Sequence, residues 1–156
     1  MPDVYIFDFD DTLLRSPRPR GPRPASSWWR DPASLQKPYI GPDIAWAYTI
    51  TPTYDRMIQA SRLEDATIMV LTGRPPYMTD QVVEVLEWIN APTDMVMAVG
   101  SPIIDNKLEV IWKVFNQNEP VPYIEIWDDK ADHLLAFRKA IKHWSPDTNV
   151  ATHHVQ

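Results

Sequence analysis

Short apolar runs rich in β-branched residues alternate with segments of helical spacing along this chain, and few architectures accept that rhythm. Val4 to Phe7, "VYIF", is unbroken apolar sequence, the pattern of a strand covered on both faces. Thr67 to Leu71 ("TIMVL"), Asp94 to Val99 ("DMVMAV") and Tyr123 to Trp127 ("YIEIW") follow, and Asn149 to Val155 reads as a fifth strand at an edge. Between them, Thr79 is placed to cap a helix with Val82, Val83, Leu86 and Ile89 on one face, ended by Pro92. A second helix, opening at about Lys107 and running to Asn116, aligns Leu108, Ile111, Trp112 and Phe115. A third, Ala131 to Trp144, aligns Leu134, Leu135, Phe137, Ala140 and Ile141, and Tyr54 to Arg62 also reads as helix. This alternation predicts an α/β fold, a central and mainly parallel sheet with helices on both faces. With no internal repeat or linker, the expected organisation is one domain, 1–156.

One segment breaks the rhythm. From Arg15 to Lys37 lie six basic residues (Arg15, Arg18, Arg20, Arg23, Arg30, Lys37) and one acid, Asp31, so the segment carries +5 and the rest of the −6 chain carries −11. Pro17, Pro19, Pro22, Pro24 and Pro32 disfavour helix and central strand there and favour an extended surface loop. Residues 15–38 are therefore read as a loop insertion, with Trp28 and Trp29 having little core to enter. The other tryptophans, Trp46, Trp88, Trp112, Trp127 and Trp144, read as core or helix-packing residues.

Composition narrows the class. Apolar residues at 44% and charged residues at 23% suit a soluble globular chain, and no apolar run approaches the roughly 20 residues of a membrane span. The N-terminus lacks the basic and apolar regions of a signal peptide, so the expected location is cytoplasmic, without membrane association. The absence of cysteine excludes disulfides and thiolate chemistry and leaves oxygen or imidazole to hold any metal.

The polar residues at the strand ends carry the chemistry. In open sheets of this kind ligands bind beyond the carboxyl ends of the strands. Strand one ends in "DFDDT", strand two in "TGRP" and strand four in "DD", which gathers Asp8, Asp10, Asp128 and Asp129 with Thr72 and Arg74 at one edge. Clustered carboxylates raise each other's pKa unless a cation separates them. A hard divalent ion resolves the conflict, and Mg²⁺, usually held by one or two carboxylates and a substrate phosphate, suits it best. Asp8, Asp10, Asp128 and Asp129 are thus the candidate metal ligands.

"DFDDT", with Asp8, Asp10 and Thr12 after an apolar strand, resembles the first motif of the haloacid-dehalogenase-type (HAD) phosphatases. The resemblance implies a Rossmann-like three-layer sandwich with at most a small loop cap. It makes Asp8 the nucleophile that becomes an aspartyl phosphate, and Asp10 the acid and base whose carbonyl also ligates Mg²⁺. "LTGR" resembles the second motif, with Thr72 and Gly73 at the transferring phosphoryl group. Lys107 resembles the third, a cation for phosphate and nucleophile, and "IWDD" the fourth, which anchors the metal. "LTGR", Lys107 and "IEIWDDKADHLLAF" also resemble the HAD branch named after Swiss Army Knife RNA repair proteins, over Val4 to about Lys142. This chain departs from that branch in Asp128, often Glu there, in Asn106, where an aromatic is usual, and in the basic, proline-rich loop.

The expected function is Mg²⁺-dependent hydrolysis of a phosphate monoester on a nucleotide or nucleic-acid end. Arg18, Arg20 and Arg23 would track phosphates, and Trp28 and Trp29 would stack bases. Two alternatives stay open: a small-molecule phosphatase with the loop as lid, and a catalytically idle protein whose basic loop binds nucleic acid or an acidic partner. Arg74 reads equally as a phosphate ligand or a loop residue, and Lys107 also as a solvated helix charge. Asp128 and Asp129 also read as caps of the following helix, and His133 as a residue that orients a neighbour. His153 and His154 lack a third ligand for a metal.

Overall fold

The computed structural model describes residues 2–117 and 119–156. Five strands, β1 (Asp3–Phe7), β2 (Ala66–Thr72), β3 (Met95–Ala98), β4 (Tyr123–Asp128) and β5 (Asn149–His154), form one all-parallel sheet in the order β3-β2-β1-β4-β5. The helices are α1 (Ala25–Trp29), α2 (Thr51–Ser61), α3 (Thr79–Trp88), α4 (Ile103–Phe115) and α5 (Ala131–Trp144). Among the described residues no helix is long and apolar enough to cross a membrane.

Alternation along β1 explains why its run is apolar throughout. Tyr5 and Phe7 pack with Ile68, Val70, Met57 and Val82 on one face, while Val4 and Ile6 pack with Met69, Leu71, Ile111, Ile124 and Phe137 on the other. Being central, β1 is buried on both sides. The chain leaves β1 toward β2 and β3, then returns through α4 to place β4 on the opposite flank of β1. The strand order therefore reverses between β1 and β4, the switch point where such sheets open a crevice at their carboxyl ends. Asp8 follows β1 and Asp128 ends β4 at that point.

Helix boundaries depart from expectation where tertiary context intervenes. Thr79 does not cap α3, because its hydroxyl donates to the Pro76 carbonyl and α3 continues directly from a 3₁₀ turn at Pro76–Met78. Pro92 does not end it either. Asn90 adopts a left-handed φ of 53°, and the Ala91 N–H closes onto the Leu86 carbonyl at 2.9 Å. α4 begins at Ile103, so Lys107 lies in its second turn rather than at its start.

The basic segment differs most. It is neither extended throughout nor confined to the surface, since it forms α1 and a 3₁₀ turn, Pro32–Leu35, and buries Trp28 at 2% exposure. The Trp28 ring meets Tyr39 edge-on, and its N–H donates to the Pro17 carbonyl at 2.7 Å, which satisfies the one polar atom that burial isolates. Trp46 is 67% exposed, Trp112 is 43% exposed and Leu135 is 70% exposed, so these three are not core residues.

Candidate functional site

The site grows out of the turn after β1. The Leu13 N–H bonds the Phe9 carbonyl at 3.1 Å, and the Asp11 N–H bonds the Leu14 carbonyl at 2.8 Å, folding residues 8–14 back on themselves. Asp11 takes φ = 54°, a left-handed conformation that aspartate tolerates better than most residues. This turn leaves Asp8 buried beneath the crevice and Asp10 half-buried at its wall. The Asp8 Oδ1 accepts from the Phe9 N–H at 2.8 Å and from Lys107 Nζ at 3.2 Å.

Lys107 joins the two halves of the crevice, because Nζ also donates to Asp128 Oδ2 at 3.1 Å. It is 2% exposed, which removes the solvated-charge reading. The other Asp128 oxygen, Oδ1, accepts from the Lys130 N–H at 2.8 Å, so Asp128 rather than Asp129 serves the backbone at the start of α5. One oxygen from each of Asp8, Asp128 and Asp129 lies within 4.8 Å of the others. His133 Nδ1 is 4.0 Å from Asp128 Oδ2 and has no hydrogen-bond partner among the described residues, and its ring meets Phe137 edge-on.

Two of these carboxylates, Asp8 and Asp128, share the Lys107 ammonium, and Lys130 offsets part of the charge at Asp129. Burial pushes the Asp8 carboxyl well above its ordinary range, and Asp128 and Asp129 push it further, against the pull of Lys107. Burial also raises Asp129. For Lys107 burial favours the neutral amine, yet Asp8 and Asp128 outweigh it and the amine stays charged. The surplus is negative and the donors are all oxygen, which fits a hard divalent cation such as Mg²⁺. Asp8, Asp128 and Asp129 would hold it.

Asp10 stands apart from this group. Arg74 grips its carboxylate with two parallel bonds, Nε to Oδ2 at 2.9 Å and Nη2 to Oδ1 at 2.6 Å, and the Ser16 hydroxyl donates to Oδ1. Above these groups opens a cavity of about 870 Å³ whose walls include Trp29, Tyr77, Ile103, Arg18 and Arg30. Its size is within the range of small-molecule sites.

No protein-family model and no curated protein sequence matches the chain. Solved structures do match. The HAD domain of the effector Lem4 from Legionella pneumophila superposes with a TM-score of 0.62 at 12% identity, over 99% of this chain and 86% of that one. The effector Ceg4 of the same organism gives 0.57 at 14% identity, over 99% and 86%. A chain of the Pnkp1/Rnl/Hen1 RNA repair complex gives 0.62 at 14% identity, over 99% of this chain and 42% of that one. This chain therefore spans less than half of the RNA repair chain that it matches. This is a HAD-type fold.

Within that HAD-type fold, the residues singled out by sequence divide by position. Asp8, Asp10, Gly73, Lys107 and Asp129 line the cavity. A Cβ at Gly73 would come within 2.9 Å of Ile103, so only glycine leaves the backbone bare there. Thr72 is fully buried beneath them, and its hydroxyl accepts from the Arg74 N–H at 3.2 Å. In the basic loop, Arg18 reaches the cavity, pairs with Asp11 at 2.9 Å and lies over the Trp29 ring. Arg20 lies over Tyr39, and Arg23 pairs with Asp31 at 2.8 Å, away from the cavity. Trp28, being buried, presents no ring for stacking, whereas Trp29 lines the cavity wall. His154 contacts the Asp129 carbonyl at 3.1 Å.

Sequence reasoning missed three participants. Ser16 follows the first motif and Tyr77 follows "TGRPP", but serine and tyrosine are too common in such positions to stand out. Tyr77 is 63% exposed, with its hydroxyl donating to the Arg30 carbonyl, and offers a freer ring than Trp29. Ser34, inside the proline-rich segment, is fully buried beside Arg74 and carried no signal at all.

Proposed function

We propose that this chain hydrolyses phosphate monoesters with Mg²⁺ through an aspartyl phosphate on Asp8. The observation that carries the proposal is the convergence of Asp8, Asp128, Asp129 and Lys107 beneath one cavity at the β1/β4 switch point. An Asp8 oxygen forms the new bond to phosphorus while the ester P–O bond breaks, and Asp10 gives its proton to the departing oxygen. Water then attacks the same phosphorus, Asp10 takes the proton, and the bond to Asp8 breaks. Splitting one hard displacement into two is what a carboxylate nucleophile contributes. Lys107 stays charged beside Asp8 and balances the phosphoryl oxygens, with the bare backbone of Gly73 lining their seat and Thr72 buried beneath it. Asp8, Asp128, Asp129 and the Asp10 carbonyl would hold Mg²⁺, which when bound would supply positive charge opposite the charge that develops on the phosphoryl group.

The substrate we favour is a nucleotide or nucleic-acid end. Its support is the mixed wall of the cavity, where Tyr77 offers an exposed ring and Arg18 and Arg30 offer cations. Replacing Arg18, Arg20 and Arg23 with Gln should weaken oligonucleotide binding and flatten its log–log salt dependence by roughly 0.7 per lost contact. With Arg23 paired to Asp31 and turned from the cavity, Arg18 should account for most of that change. The burial of Trp28 and the Arg18–Asp11 tie favour a second reading, in which the loop is a lid over a small phosphorylated molecule. An oligonucleotide affinity unchanged by the triple substitution, with full turnover of an aryl phosphate, selects the lid. A chain that turns over neither an aryl phosphate nor phosphorylated oligonucleotides with Mg²⁺ is a binding protein and not an enzyme.

A further inference from the structure

In sequence Arg74 reads equally as a phosphate ligand or a loop residue, but its guanidinium is already spent on the protein. Two of its N–H groups hold Asp10 as described, and Nη1 donates to Ser34 Oγ at 2.5 Å and to the Trp29 carbonyl at 3.3 Å. The group lies 4.9 Å from the centre of the Trp29 ring, and the residue is 2% exposed. Four of the five guanidinium hydrogens therefore have fixed acceptors. Ser34 is anchored in turn, with its hydroxyl donating to the Asp31 carbonyl at 2.7 Å. Swinging Arg74 toward a phosphate would strand these buried groups.

We infer that the basic, proline-rich loop is part of the catalytic apparatus: through Ser34 and Trp29 it holds Arg74, and Arg74 is the positioning residue that aims Asp10. This rests on Asp10 being the acid and base of the proposed reaction. A carboxylate offers about four lone-pair sites. Arg74 Nη2 and Ser16 occupy Oδ1, and Arg74 Nε takes one site on Oδ2, which leaves one open position on Oδ2 for the transferred proton. The fork thus fixes the rotamer of Asp10 and selects the oxygen that works. Lysine keeps the charge but cannot reproduce two parallel bonds.

The test separates aiming from binding and from folding. Single-turnover formation of the phosphoenzyme is measured for the native chain, Arg74→Lys and Ser34→Ala, with p-nitrophenyl phosphate and with an alkyl phosphate. The nitrophenolate departs without help, whereas the alkoxide needs Asp10's proton. Arg74→Lys should slow the alkyl substrate on the order of 100-fold and the nitrophenyl substrate less than about threefold, with KM steady. Ser34→Ala, which keeps Arg74, should show the same pattern at smaller size and stands as the test where Arg74→Lys does not fold. Equal losses on both substrates, or a rise in KM alone, overturn the inference and leave the phosphatase reading standing. A native chain that forms no phosphoenzyme with either substrate retires both together.

Discussion

Glu125 and Asp128 lie on the same strand, β4, three residues apart, yet the two positions treat negative charge in opposite ways. Glu125 is buried, and burial alone would raise its pKa. Arg56 donates Nε at 2.7 Å and Nη2 at 3.1 Å, the Tyr123 hydroxyl donates at 2.7 Å and the Trp127 N–H at 2.8 Å. Those donors outweigh burial and hold Glu125 at about 2. Three residues on, Asp128 shares Lys107 with Asp8, Lys130 offsets only part of the burial that raises Asp129, and Asp8 is driven up rather than down. A buried carboxylate whose donors match it is a structural joint. A group of buried carboxylates that outnumbers its cations is a place prepared for a charge to arrive.

The largest test of this contrast is on turnover. Asp8→Asn preserves size but removes the charge that the proposed mechanism uses to attack phosphorus, and kcat should fall on the order of 10⁴–10⁶-fold. Glu125→Gln, though equally buried and nearer the middle of the strand, should leave the aryl phosphatase rate within about threefold. An assay in which the two variants lose activity alike would erase the distinction between joint and site.

Stability should show the reverse order. Glu125→Gln leaves Arg56 without its counter-charge and should lower unfolding free energy at pH 7 by about 2–3 kcal/mol, read from urea melts. Because the folded pKa lies below the ordinary 4.5, this stabilisation is complete above about pH 4.5 and disappears as pH falls toward 2. Native and variant melts should therefore converge between those limits, and a constant gap would assign the loss to packing instead.

The smallest effect sharpens the other side. Mg²⁺ at ten times its Kd should raise native stability by about 1.4 kcal/mol, and chelation should reverse this and abolish turnover. Asp129→Ala should lose the Mg²⁺-dependent gain. Without metal it should be more stable than the native chain, because one carboxylate no longer raises the cost of ionising its neighbours. A variant that melts lower than the native chain in chelator would mean that the acidic cluster is balanced from within.

Much of the architecture is decided within a few residues of sequence. An unbroken run such as Val4 to Phe7 needs cover on both faces, and the abrupt change to Asp8, Asp10 and Asp11 marks where the strand stops. The same local reading places Thr72 and Asp128 at strand ends, and parallel crossovers then leave those ends on one edge. Local chemistry cannot say which partner a long side chain will find. Arg74 meets Asp10 across 64 positions and Ser34 across 40, and only the packing of the loop against the crevice brings them together. Proline density describes what the backbone of that loop avoids, not what Trp28 packs against. Hydrophobicity likewise marks Trp46, Trp112 and Leu135 as able to be buried, but burial needs a neighbour, and among the described residues these three stay exposed. Strand ends and carboxylate positions are therefore written in the chain itself. Which carboxylates are matched and which stand in excess is a property of long-range pairing, and only the folded topology decides it.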